Sequence, residues 1–222
     1  MHRFFRISAL AALALGVTAL TAQAQRAKTF GVVAGVDFST LTGCTDANDP
    51  TCDLSDGISS KTGFMGGFFV GIPIGAGGWT LEPELLYAQK GAKYDNIDFT
   101  GTQSLDYISI PVLIRWNAKP EGGFYVFGGP QLSFNVRCND SGTDNETNTT
   151  YDEDCSTFPG ISANTVFSST LGVGFGKGRV ALEGRYDYDW GNAIKYTEPT
   201  TGTVTSFDIR NSVWALMLRF TK

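Results

Sequence analysis

Histidine is nearly missing from this chain. The only one is His2, and it lies in an N-terminal segment that reads as removable. A mature protein without histidine cannot run acyl hydrolysis through a Ser–His pair, because the base that takes the serine proton is absent. Any apolar stretch long enough to cross a bilayer as a helix is missing too. The run from Ile7 to Leu20 is about 14 residues, against roughly 20 for a spanning helix. Basic residues are outnumbered 17 to 22, which argues against nucleic acid as a partner. The four cysteines show no C-x-x-C spacing and have no histidine to join them, so no zinc site is expected.

The N-terminus has the layout of a secretory signal. Arg3 and Arg6 precede the apolar run, and Ala22-Gln23-Ala24 supplies the small-x-small pattern that a signal peptidase cuts. Residues 1–24 are therefore expected to be cleaved and residues 25–222 to form one mature domain. No cysteine follows the small residues, so a lipoprotein is not indicated. Loss of Arg3 and Arg6 leaves 15 basic against 22 acidic residues, a balance of −7.

The mature part is dominated by period-two alternation in segments of about 10 to 14 residues separated by turn-rich links. Eight segments stand out: Phe30 to Ser39, Lys61 to Ile72, Trp79 to Lys90, Leu105 to Trp116, Phe124 to Arg137, Thr165 to Gly176, Arg179 to Trp190 and Phe207 to Phe220. In each, one face is apolar and the other is rich in glycine and polar residues. The fourth sets Ile108, Ile110, Val112, Ile114 and Trp116 against Tyr107, Ser109 and Arg115. The last sets Trp214, Leu216, Leu218 and Phe220 against Asn211 and Arg219.

The links alternate in length. Those after the second, fourth and sixth segments are short, whereas the others run to about 12 to 27 residues and are polar. An up-and-down barrel with tight turns at one rim and long loops at the other has this rhythm. A soluble ligand-binding barrel also alternates, but three features favour lipid outside. Aromatics of the apolar face sit near segment ends (Trp79, Trp116, Phe124, Tyr188, Phe220), as interfacial girdles do. The opposite face carries glycine and few charges, which suits a narrow interior. The chain ends on an alternating strand with a near-final aromatic. Against this stand Pro83, Pro111 and Pro130 inside proposed strands, since a closed barrel has no free edge.

Glu82, Glu84, Arg115, Glu183, Arg185 and Arg219 all fall on the inward face. An eight-stranded barrel has an interior just wide enough for side chains, and buried charges must pair. These six are expected to form an ion-pair network filling the lumen. A charged constriction that conducts ions would need an open lumen. Glu82 and Glu84 have the spacing of any inward i, i+2 pair, so they do not point to acid–base catalysis; no enzymatic activity, catalytic residue or cofactor is expected.

Export permits disulfides. Four cysteines allow three pairings; the local one, Cys44 with Cys52 and Cys138 with Cys155, would staple two of the long loops. The loop from Asn139 to Asp154 is acidic, with Asp140, Asp144, Glu146, Asp152, Glu153 and Asp154, but lacks the ordered spacing of a calcium loop. Three Asn-x-Ser/Thr sequons, at Asn139, Asn145 and Asn148, would carry no sugar in a bacterial outer membrane.

The runs PELLYAQKG (83–91), LDYISIPVLI (105–114), FYVFGGP (124–130) and LEGRY (182–186) resemble those of PorT-type outer-membrane β-barrel proteins. The likeness extends over essentially the whole mature chain. It implies an all-β fold, an eight-stranded antiparallel transmembrane barrel in a bacterial outer membrane, and brings no catalytic residues with it. The expected partners are outer-membrane lipid, the barrel-assembly machinery during insertion, and an extracellular partner at the long loops. The expected role is structural, adhesive or surface-recognition, with a narrow porin-like diffusion channel or a secreted ligand-binding barrel as alternatives.

Overall fold

The computed structural model describes residues 28–44, 57–75, 77–97, 99–119, 122–157, 161–163, 165–197, 204–206 and 208–222. The expected signal segment and its cleavage point lie outside them. Among these residues the chain forms strands β1 (Thr29–Cys44), β2 (Ile58–Pro73), β3 (Trp79–Asp95), β4 (Phe99–Asn117), β5 (Gly122–Asp144), β6 (Thr149–Asp154), β7 (Ile161–Ala163), β8 (Val166–Lys177), β9 (Val180–Asp189), β10 (Ile194–Thr197), β11 (Val204–Ser206) and β12 (Asp208–Thr221).

Eight of them, β1 to β5 with β8, β9 and β12, pair in ring order, all antiparallel, and the β1–β12 and β4–β5 ladders close the ring. These are the eight strands expected from the alternation. The turn between β8 and β9 puts Gly178 at φ 62°, the positive value that the first central position of a tight hairpin turn needs. Strand β6 folds back on the far half of β5, and β7, β10 and β11 make a separate three-stranded sheet.

Several strands overrun their expected ends on the long-loop side. β1 continues to Cys44, β3 to Asp95 and β5 to Asp144, while β4 begins at Phe99. The link between β3 and β4, read from the sequence as a long loop, is only residues 96–98. The acidic loop is likewise a hairpin, with Asn139 opposite Asp154 and Asp144 opposite Thr149. Above the apolar band the outward face turns polar and apolar residues such as Leu41, Ala92 and Cys138 point inward, so the expected alternation stops although the ladder continues.

The prolines are accommodated neither by bulges nor at the rim. Each leaves a gap in the ladder to the preceding strand. Pairing skips from Phe69–Glu84 to Ile72–Leu81 at Pro83, from Pro83–Val112 to Leu86–Ser109 at Pro111, and from Pro111–Gln131 to Ile114–Gly128 at Pro130. The register resumes unchanged each time, because a proline lacks one N–H but need not lengthen its strand. The β1–β12 ladder, by contrast, runs without a gap from Gly31–Thr221 to Cys44–Asp208.

Outward side chains form a continuous apolar band: Phe68 is 66% exposed, Phe175 65% and Trp214 63%. A band of this kind around the whole ring far exceeds the apolar patches that soluble surfaces carry. Trp79 and Trp116 adjoin at one edge (centroids 6.5 Å apart), and Tyr186 with Trp214 (4.6 Å) lies toward the other. Inside, large rings lie across glycines of the neighbouring strand. Phe127 covers Gly172 and Tyr125 covers Gly174, leaving no space for a Cβ at either glycine.

Candidate functional site in the barrel lumen

The pleat sends alternate residues of every barrel strand inward, and the register decides which of them meet. Thr80 faces Arg115 and Glu82 faces Leu113 across β3–β4, while Glu183 faces Met217 and Arg219 faces Ala181 across β9–β12. Charges on both sides of the ring thus reach the same depth near the short-turn end. Arg115 donates from one Nη to Glu82 (2.7 Å) and Glu183 (2.9 Å). Arg219 reaches Glu82 at 2.5 Å and Glu183 at 3.3 Å, and the Tyr125 hydroxyl donates to Glu183 at 2.8 Å. Arg185 donates to Glu84 at 2.7 Å, and Arg219 lies 3.9 Å from the other Glu84 oxygen. All six residues singled out in the sequence therefore fall in one connected cluster, each under 10% exposed. Aromatic rings complete it. The Arg219 guanidinium lies 3.3 Å from the Phe69 ring centroid and that of Arg115 4.3 Å from Tyr125, the placement in which a ring face attracts a cation.

Above this cluster come Met65, Leu86, Ala88, Val213 and Met217, packed as an apolar layer inside the ring. A second polar layer follows. Lys90 pairs with Asp189 at 3.1 Å, and Asp189 also accepts from Ser168 (2.7 Å) and Asn211 (2.8 Å). Asp187 accepts from Thr170 at 2.7 Å. Asp37 is fully buried, and neither of its carboxylate oxygens has a hydrogen-bond partner among the described residues. Lys90, Asp37, Asp187 and Asp189 were not among the six, although their inward parity could be read from the alternation; parity alone offers no reason to rank one inward charge above another.

The long-loop end of the lumen is covered by another apolar group, which includes Leu41, Leu105, Tyr107, Val166 and Ile209 together with Cys138 and Cys155. The two cysteines are bonded, with Cα atoms 5.4 Å apart. This bridge is buried in the cap rather than exposed on a loop, because the strand extensions bring both cysteines over the lumen. The side chain of Cys44, and all of Cys52, lie outside the described residues, so the other expected bridge does too.

Beyond the cap, the extended wall of β3, β4, β5 and β6 holds a Tyr94–Asp140 hydrogen bond of 2.5 Å and a contact between the hydroxyls of Tyr94 and Tyr151. Burial raises the Tyr94 phenol above its ordinary range, and its bonds to Asp140 and Tyr151 add to this. Burial also raises Asp140, against the pull of the Tyr94 hydrogen bond. Asp144 is lowered, chiefly by the Thr147 backbone N–H (2.9 Å), with Glu146 N–H also donating at 3.0 Å. Among the described residues no three His, Cys, Asp or Glu side chains converge as metal ligands.

Solved structures with a similar course of chain include Ail, the attachment invasion locus protein of Yersinia pestis (10% identity, 89% of this chain and 100% of that chain covered, TM-score 0.45). Others are Neisserial surface protein A (14%, 88% and 99%, 0.47) and OprG from Pseudomonas aeruginosa (13%, 89% and 97%, 0.42). Comparison with curated protein sequences finds no match. The sequence family described as outer membrane protein beta-barrel domain matches residues 21–194. That span takes in seven of the eight ring strands, and an apolar exterior around a charged, packed interior is what lipid on the outside demands. The chain belongs to the outer membrane protein β-barrel domain family and resides in the bacterial outer membrane.

Proposed function

We propose that this barrel is a membrane anchor with a filled lumen whose working part is the long-loop end, serving a structural, adhesive or surface-recognition role. The observation that supports it best is the layering of the interior: an Arg–Glu cluster, an apolar layer, an Asp-rich layer and a disulfide-bearing apolar cap. A conducting channel needs a continuous wet path, and the apolar layers within the ring speak against one. No catalytic role is assigned, in keeping with a mature chain that lacks histidine. The narrower PorT-type kinship, carried by the four sequence runs, belongs to the same proposal. So do the partners: outer-membrane lipid around the band, the assembly machinery during insertion and an extracellular molecule at the extended wall.

Single-channel recording in a planar bilayer tests the filled lumen. No current steps above the bilayer background are expected, and reproducible steps from the purified folded barrel defeat the reading. The location of the working part is tested by shortening the β5–β6 hairpin. Replacing residues 140–153 by a two-residue turn should abolish binding of barrel-bearing vesicles to a responsive cell surface while the barrel still folds. Undiminished binding would move the role elsewhere.

A further inference from the structure

At the short-turn end the lumen opens into a polar cavity of about 340 Å³. Its walls bear four cations, Arg115, Arg219, Lys119 and Arg179, and one carboxylate, Glu82. The two arginines at its floor are under 10% exposed and share the same two carboxylates, Glu82 and Glu183. The floor is therefore balanced, two charges against two, and Lys119 and Arg179 at the mouth are in excess. The Arg115 Nε is buried without a hydrogen-bond partner. Space is left by small residues, since a Cβ built on Gly123 or Gly178 meets nothing within 4 Å. Thr80 and Thr221 add hydroxyl donors to the wall.

We propose that this vestibule binds a small soluble oxyanion, a phosphate or a carboxylate. Guanidinium, ammonium and hydroxyl donors around a concave, partly desolvated space form the shorter and stronger class of hydrogen bonds to such groups, and an excess of cations in a cleft raises the local anion concentration. The cavity lies inside the ring of strand ends, so its ligand enters along the barrel axis from water, not from the lipid leaflet. The opposite end of the molecule cannot serve, because its wall carries Asp95, Asp140, Asp144, Glu146, Asp152, Glu153 and Asp154.

The test uses the mature barrel folded in uncharged detergent micelles at low ionic strength, with inorganic phosphate as the probe in equilibrium dialysis. One saturable phosphate per barrel is expected, displaced by succinate and weakened by added sodium chloride. The double variant Lys119→Gln/Arg179→Gln, which leaves the buried cluster intact, should bind about tenfold more weakly; that loss corresponds to about 1.4 kcal/mol. Lys93→Gln at the far end should leave binding unchanged. Heat-dependent gel mobility verifies that every variant is folded. Absence of saturable phosphate binding by the parent, or equal binding by parent and double variant, overturns the proposal.

Discussion

The two polar layers of the lumen neutralise charge by different means. Near the short turns, three arginines meet three glutamates, and single carboxylates are shared between cations: Glu82 and Glu183 each receive both Arg115 and Arg219. Toward the long loops, Lys90 pairs with Asp189 alone, Arg185 comes within 3.9 Å of Asp187 from the layer below, and neutral donors make up the rest: Ser168 and Asn211 on Asp189, Thr170 on Asp187. Arginine presents a planar fork that can bridge two carboxylates, whereas lysine is a compact point charge. The difference teaches that a sealed interior can be closed either by matched ions or by hydroxyls and amides around an excess of one sign. The two solutions should fail differently when a charge is taken away.

The largest effect is expected at Glu82. Glu82→Gln keeps the shape but leaves Arg115 and Arg219 sharing only Glu183 at close range, and stranding a buried charge costs about 3–5 kcal/mol. Urea unfolding in micelles, followed by heat-modifiable mobility, measures it; a loss under about 1 kcal/mol would mean that the cluster is wet and weak. Lys90→Met in the upper layer should cost less, about 1–3 kcal/mol, since Asp189 loses its ion pair but keeps Ser168 and Asn211 as donors. A loss equal to that of Glu82→Gln would erase the distinction between the layers. Smallest of all is Asp37→Asn. It removes a buried carboxylate that has no hydrogen-bond partner, whose charge is itself a cost, so no loss of stability is expected and a slight gain is consistent with the argument. A drop of about 2 kcal/mol would instead mean that the charges of Lys61 and Lys90 hold the Asp37 carboxylate in place.

Much of this was legible beforehand because a barrel in lipid obeys one rule, alternation, at every depth of the membrane. Leu216 outward and Arg219 inward follow from parity alone, as do the six clustered charges. What parity cannot supply is register, and register decides that Arg115 bridges Glu82 and Glu183 while Arg185 takes Glu84. The strand extensions were hidden because, past Arg137 on β5 and Lys90 on β3, the outward face no longer has to be apolar and the few apolar residues, such as Ala92 and Cys138, turn inward. The same blindness made Cys138 look like a loop cysteine when it caps the lumen. The irregularities between Ser60 and Met65 and between Asp106 and Tyr107 leave no mark in composition at all.

The unbroken β1–β12 ladder sets the terms of barrel closure. The first and last strands are the farthest apart in sequence, so their meeting carries the largest loss of chain freedom. Fourteen consecutive residue pairs form at that seam, free of the proline gaps that thin the wall from β2 to β5. The step that is hardest to reach is thus the one most thoroughly fastened once reached. A barrel built this way resists unzipping where its termini meet and yields first along the proline-bearing staves on the other side.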